Sequence, residues 1–172
     1  MGQAVGRVIL AAMPTRATDP DCFEHAVIVG APPADVLAAF FHPDMLRHWW
    51  LVERSVTTPR PLGVYALSWR PTIVNDPLLG RLGGTFYGTV IDYREGREFF
   101  LADAYWLPPD GDPIGPMALH VTCETVAGGT KVMLRQSGCD DSPRWRRFYG
   151  VIAGGWRESL EQLRGYLEDG RR

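Results

Sequence analysis

Apolar residues recur at steps of three and four through the last third of the chain: Trp145, Phe148, Tyr149, Ile152, Trp156, Leu160, Leu163 and Leu167. On a helix these positions form one stripe, because 3.6 residues per turn returns i+3, i+4 and i+7 to the same side. Ser142 followed by Pro143 marks its start. The serine oxygen can accept from an amide that has no partner within the helix, and proline at the first helical position has its φ preset and gives up no hydrogen bond. So aromatic a stripe requires a large concave partner, and the pattern upstream supplies one.

Alternating apolar and polar positions predict strands at 23–29, 52–57, 63–70, 85–93, 97–106, 117–126 and 130–137. Gly30-Ala31-Pro32-Pro33 closes the first strand and opens a short helix whose buried side is Val36, Leu37, Phe40 and Phe41. His42-Pro43-Asp44 stops that helix, and a second short one runs through Leu46 into Trp49-Trp50. The predicted order is strand, two short helices, six strands, long helix, which is an α+β chain with a curved sheet around the terminal helix. Gly154-Gly155 inside that helix predicts a close approach to the sheet or a kink. In the strand at 97–106, Phe99, Leu101, Asp103 and Tyr105 share one face and Phe100, Ala102, Ala104 and Trp106 the other. Both sets are largely apolar, so alternation does not choose the buried one.

Residues 71–84 are rich in proline and glycine and carry Leu78, Leu79 and Leu82. Two readings stand open: a lid over a cavity, or a hairpin extension packed on its own leucines.

The length of 172 residues suits one folded unit, here 22–172, preceded by an arm at 1–21. The apolar run at 8–13 is too short for a membrane span and makes a poor signal-peptide core. A net charge of −2 and a pI near 6.1 give no general pull toward nucleic acid or an anionic membrane. Cys22, Cys123 and Cys139 are odd in number and widely spaced, which fits a reducing, cytoplasmic setting. His25, His42, His48 and His120 are scattered without metal-site spacing, and the Asp110-Gly111-Asp112-Pro113 stretch reads as a solvated turn. Phosphate-binding and nucleophile-elbow motifs are missing from the sequence, and no cofactor is called for. Arg144, Arg146, Arg147 and Arg157 are interspersed with Asp140, Asp141 and Glu158, the mark of a charge-mixed solvated face.

The aromatic set Trp49, Trp50, Tyr65, Trp69, Tyr87, Phe99, Tyr105 and Trp156 can be core, each large side chain contributing about 1.5–3 kcal/mol on burial. Buried tyrosine and tryptophan tips also need polar partners, and several around one space suit an amphipathic ligand.

Several short runs, in this order and spacing, carry a family resemblance. They are Ala31-Pro32-Pro33-Ala34-Asp35-Val36, Trp49-Trp50, Arg60-Pro61-Leu62-Gly63, Gly88-Thr89-Val90-Ile91-Asp92, Gly129-Thr130, Ser137-Gly138 and Gly155-Trp156 with Leu160, Leu163 and Leu167. Over residues 23–168 the chain resembles the START-like, or SRPBCC, superfamily, and within it the group named for the carboxy-terminal domain of the Hsp90 ATPase activator Aha1. The resemblance implies a helix-grip fold: seven antiparallel strands gripping the terminal helix, two short helices between strands 1 and 2, and a cavity between helix and sheet that holds a hydrophobic small molecule. Departures are Leu62 where a second glycine is common, Asp103 where an aromatic is frequent, Gln136 where a histidine is frequent, and the 71–84 insertion.

The leading functional expectation is binding of a small hydrophobic or aromatic molecule. Trp50, Tyr65, Trp69, Tyr87, Phe99, Leu101 and Trp156 would form apolar walls, with Asp103 and Gln136 as orienting polar groups. One alternative is a cyclase-like or hydrolase-like enzyme using a buried Asp103 as acid or base; another is a module that engages an Hsp90-type chaperone partner. A monomer or weak homodimer is expected.

Overall fold

The structure, a computed structural model, describes residues 22–138 and 141–170. The expected arm at 1–21 and Cys139 lie outside the described residues.

Chain order is β1 (Cys22–Val29), α1 (Pro33–Ala39), α2 (Pro43–Trp49), β2 (Arg54–Thr57), β3 (Val64–Trp69), β4 (Asn75–Asp76), β5 (Gly80–Arg81), β6 (Gly84–Arg94), β7 (Glu98–Leu107), β8 (Ile114–Val126), β9 (Gly129–Ser137) and α3 (Pro143–Asp169). Seven strands form one antiparallel sheet in the order β1-β9-β8-β7-β6-β3-β2, and β4 with β5 makes a two-stranded hairpin inside the 71–84 insertion. With the two short helices between β1 and β2 and α3 across the sheet, this is the helix-grip α+β fold.

The start signal of α3 works as its chemistry requires: Ser142 Oγ accepts the Trp145 amide at 3.2 Å, and Pro143 occupies the first turn. Of the stripe, Trp145, Phe148, Trp156, Leu160, Leu163 and Leu167 are buried, while Tyr149 and Ile152 are half-buried. Two polar contacts fix the helix to the β1 side of the sheet. Gly30 N donates to Glu168 Oε1 at 2.9 Å, and His25 Nε2 donates to the Ala153 carbonyl at 2.7 Å. The helix therefore lies close along β1 and stands off β3, β6 and β7.

Two packing clusters result. The larger joins the lower half of α3 through Leu160 and Leu163 to α1 and to inward side chains such as Phe40, Tyr65, Phe99 and Leu101. The smaller, Leu79, Ala104, Trp106, Ile114, Met117, Trp145 and Phe148, holds the start of α3 and the insertion against the middle strands.

The strand at β7 corrects the sequence reading. Leu101 pairs with Leu119 and Ala104 with Met117, so three steps on β7 face two on β8; between Tyr87 and Thr89 on β6 the same excess appears against Tyr105 and Ala102. A bulge at Ala102 and Asp103, with Asp103 at φ 48°, therefore moves Ala104 and Trp106 onto the buried face of Phe99 and Leu101. Aspartate is one of the few side chains that takes this left-handed conformation readily. Asp103 is exposed.

Gly154 and Gly155 likewise differ from expectation. The helix is continuous through them, and a Cβ at either position would meet nothing within 4 Å. They mark open space beside the helix, not close packing.

Candidate functional site

Because α3 is held at β1 and lifted from the opposite half of the sheet, a partly open cleft of about 780 Å³ remains between them. Trp69 of β3, Phe86 of β6, Trp106 of β7 and Gln136 of β9 form its floor; Phe148, Ile152, Gly155 and Trp156 of α3 form its roof. Trp50, directly after α2, closes the flank, and Thr72, Leu82 and Gly83 of the insertion wall the end near Trp106.

The aromatic walls brace one another. Trp50 stacks on Trp49 at a centroid distance of 4.8 Å, meets Trp69 edge-on at 5.1 Å and leans on Trp156 at 4.6 Å. Trp106 stacks on Phe148 at 5.3 Å, joining floor and roof. Three of the four cleft indoles donate their N–H inside the protein: Trp69 to the Trp50 carbonyl at 2.9 Å, Trp106 to the Gly83 carbonyl at 2.7 Å and Trp156 to Gln136 Oε1 at 2.9 Å. These bonds fix the rings and leave their apolar faces for the cleft.

Gln136, 2% exposed, is the polar side chain at the floor. Because the indole of Trp156 can only donate, the amide must present its oxygen there, and Nε2 then lies 3.0 Å from Met117 Sδ. Charge is confined to the mouth, where Arg70 pairs with Glu53 at 3.0 Å and Arg47 with Asp44 at 3.3 Å. Both pairs are exposed and contribute little to stability.

The nine residues expected at the site separate into three groups. Trp50, Trp69, Gln136 and Trp156 meet at the cleft. Tyr65, Phe99 and Leu101 instead fill the larger core, each 0% exposed. Tyr65 donates its hydroxyl to the Phe40 carbonyl at 3.0 Å, and burial pushes its ionisation far up, so it stays a neutral structural donor. Tyr87 and Asp103 are on the outer face, where Tyr87 stacks on Tyr105 at 5.6 Å. An acid or base role for Asp103 inside the cavity is therefore withdrawn, since the bulge turns its carboxylate to solvent.

Phe86, Trp106, Phe148 and Ile152 line the cleft but were not expected there. Phe86, Gly88 and Val90 alternate with Tyr87, Thr89 and Ile91, and each set carries two hydrophobic residues, so alternation does not choose Phe86 over Tyr87. Trp106 needed the bulge, and Phe148 and Ile152 belonged to the helix stripe without any sign that part of it stands free.

The insertion is a hairpin, as one of the two readings has it, but Leu79 and Leu82 pack with the smaller cluster and not only on one another. Asp76 Oδ1 accepts the amides of Leu78 and Leu79 at 2.9 and 3.1 Å, and Oδ2 accepts from Arg147 Nε at 2.6 Å. The Leu78 amide first, then Arg147 and the Leu79 amide, outweigh burial and hold the Asp76 carboxyl below its usual range. Arg81 pairs with Asp110 at 2.6 Å, and Leu79 is buried in the smaller cluster.

Among the described residues no group of His, Cys, Asp and Glu could hold a metal ion, and no helix is long and apolar enough to cross a membrane.

A curved antiparallel sheet gripping a carboxy-terminal helix, with an aromatic-lined gap between them, defines the START-like class of proteins. Within that class the chain belongs to the family described as Activator of Hsp90 ATPase homolog 1-like protein, whose model matches residues 30–168. Solved structures of similar fold include a protein of Mycobacterium smegmatis, with a TM-score of 0.70 and 14% identity over 90% of this chain and 95% of that one. A protein of Mesorhizobium loti gives 0.65 and 19% over 86% and 97%. The Aha1 dimer of Colwellia psychrerythraea gives 0.63 and 16% over 88% and 98%. Among curated proteins none matches the sequence.

Proposed function

We propose that this protein binds a small hydrophobic or aromatic molecule in the cleft between α3 and the β3, β6 and β7 side of the sheet. The observation that carries the reading is the cleft itself: about 780 Å³ framed by Trp50, Trp69, Phe86, Trp106, Phe148 and Trp156. That size falls within the range of about 300–1,000 Å³ typical of small-molecule sites, and a few convergent polar groups on apolar walls is their usual composition. One chain supplies every wall, so the reading requires neither a second copy nor a chaperone. The unpaired thiols of Cys22 and Cys123 agree with a reducing, cytoplasmic location.

Native mass spectrometry against a panel of fused-ring aromatics and alicyclic hydrocarbons tests the reading. Wild-type protein is expected to retain panel members at one-to-one stoichiometry. Gly155→Phe projects a ring into the cleft from a position where a Cβ meets nothing, and is expected to stay folded and lose retention. Retention of no compound by the wild type, or equal retention by the folded variant, would reject it.

A further inference from the structure

The cleft has a polarity as well as a shape, and it rests on Gln136. Its amide oxygen is committed to the Trp156 indole, while Nε2 carries two hydrogens and meets one protein acceptor, the thioether of Met117 at 3.0 Å. A thioether is a weak acceptor and can serve only one of the two. The second N–H has no acceptor among the described residues, in a side chain that is 2% exposed and lines an otherwise apolar floor. A buried donor left without a partner is costly, so the site gains when something supplies an acceptor.

Trp50 packs beside this pair, its ring centroid 4.6 Å from that of Trp156, which holds Gln136. The oxygens near the floor, by contrast, each already accept an indole N–H, Gln136 Oε1 from Trp156 and the Gly83 carbonyl from Trp106, so a ligand hydroxyl would have to share one of them.

We infer that the cleft selects flat apolar molecules bearing a hydrogen-bond acceptor, such as an aromatic ketone or quinone carbonyl, over the parent hydrocarbon and over the corresponding alcohol. This rests on the cleft being a ligand site. Gln136 is the specificity-determining residue: it donates Nε2–H to the ligand oxygen, and Trp156 keeps the amide from turning over to offer its oxygen instead.

Isothermal titration of the wild-type protein with fluorene, 9-fluorenone and 9-hydroxyfluorene tests the inference, because the three share size and flatness. A purely apolar cleft prefers fluorene, since a carbonyl must shed water to enter. The inference expects the reverse order: fluorenone bound roughly tenfold more tightly than fluorene, the size of one hydrogen bond, with hydroxyfluorene weaker than fluorenone. Bound fluorenone should also show its carbonyl stretch at lower wavenumber than in an apolar solvent. Gln136→Met, which keeps the volume and removes the donor, should bring the fluorenone preference to parity and abolish the infrared shift. Fluorene binding as tightly as fluorenone to the wild type, or an unshifted carbonyl band, overturns the inference and leaves the cleft reading intact. Binding of none of the three overturns both.

Discussion

Arg147 Nε donates to Asp76 Oδ2 at 2.6 Å, linking two residues 71 positions apart and pinning the insertion to the beginning of α3. The carboxylate also receives the Leu78 and Leu79 amides, so one ionised side chain organises the whole turn. Its native ionisation lies below the ordinary value of 3.8, which sets the sign of the pH dependence. The latch is fully present above the unfolded carboxyl's value and is lost as the pH falls through the lower native one. Protection of the Leu78 and Leu79 amides, measured against the intrinsic exchange rate at each pH, is expected to hold from neutral pH down to about 4 and to fall below it. Asp76→Asn should show quickened exchange at neutral pH, and equal protection in the two proteins would refute the latch.

Gly154 is exposed inside a continuous helix, and a side chain there meets nothing within 4 Å. Gly154→Ala should therefore stabilise the protein by about 1 kcal/mol through helix propensity alone. Thermal unfolding should move up by about 2–4 °C. A drop would mean that the glycine serves a bend or contact that the straight helix does not show.

Leu62 holds φ 60° and is 79% exposed, occupying with a branched side chain a turn suited to glycine. The left-handed conformation costs about 1–2 kcal/mol, and glycine's extra freedom in the unfolded chain offsets about 0.5–1 of that. Leu62→Gly should gain up to about 1 kcal/mol, seen as a higher denaturant midpoint with an unchanged slope. An unchanged or lower midpoint would show that the leucine has packing value of its own.

Burial pushes the Cys123 thiol up to about 12, so at neutral pH it carries almost no thiolate. Iodoacetamide at pH 7.5 should leave Cys123 unmodified in the folded protein and alkylate it once urea unfolds the chain. Peptide mapping checks this, and modification in the native state would show that the β8 region opens.

What the sequence disclosed follows from where single-residue rules hold. The α3 stripe and the Ser142-Pro143 start are local, and local chemistry decides them. The cleft is not local. It arises from where Glu168 and His25 anchor the helix, and no periodicity in α3 distinguishes Leu163, which packs in the core, from Ile152, which faces the gap. The error at Asp103 has the same origin. Alternation puts Phe99 and Leu101 on one face, as they are, and then fails at one inserted residue, so that Tyr105 and Trp106 exchange faces. Tyr87 and Phe86 take opposite faces of β6, and since both alternating sets are partly hydrophobic only the packing under the cleft decides between them.

Four of the six tryptophans stand around this one cleft, and three of them have their N–H groups tied to fixed acceptors. Their ultraviolet emission is consequently governed by a single compartment, so an arriving molecule will alter most of the chain's intrinsic fluorescence together. The purified protein thus carries an unlabelled optical gauge of the proposed binding.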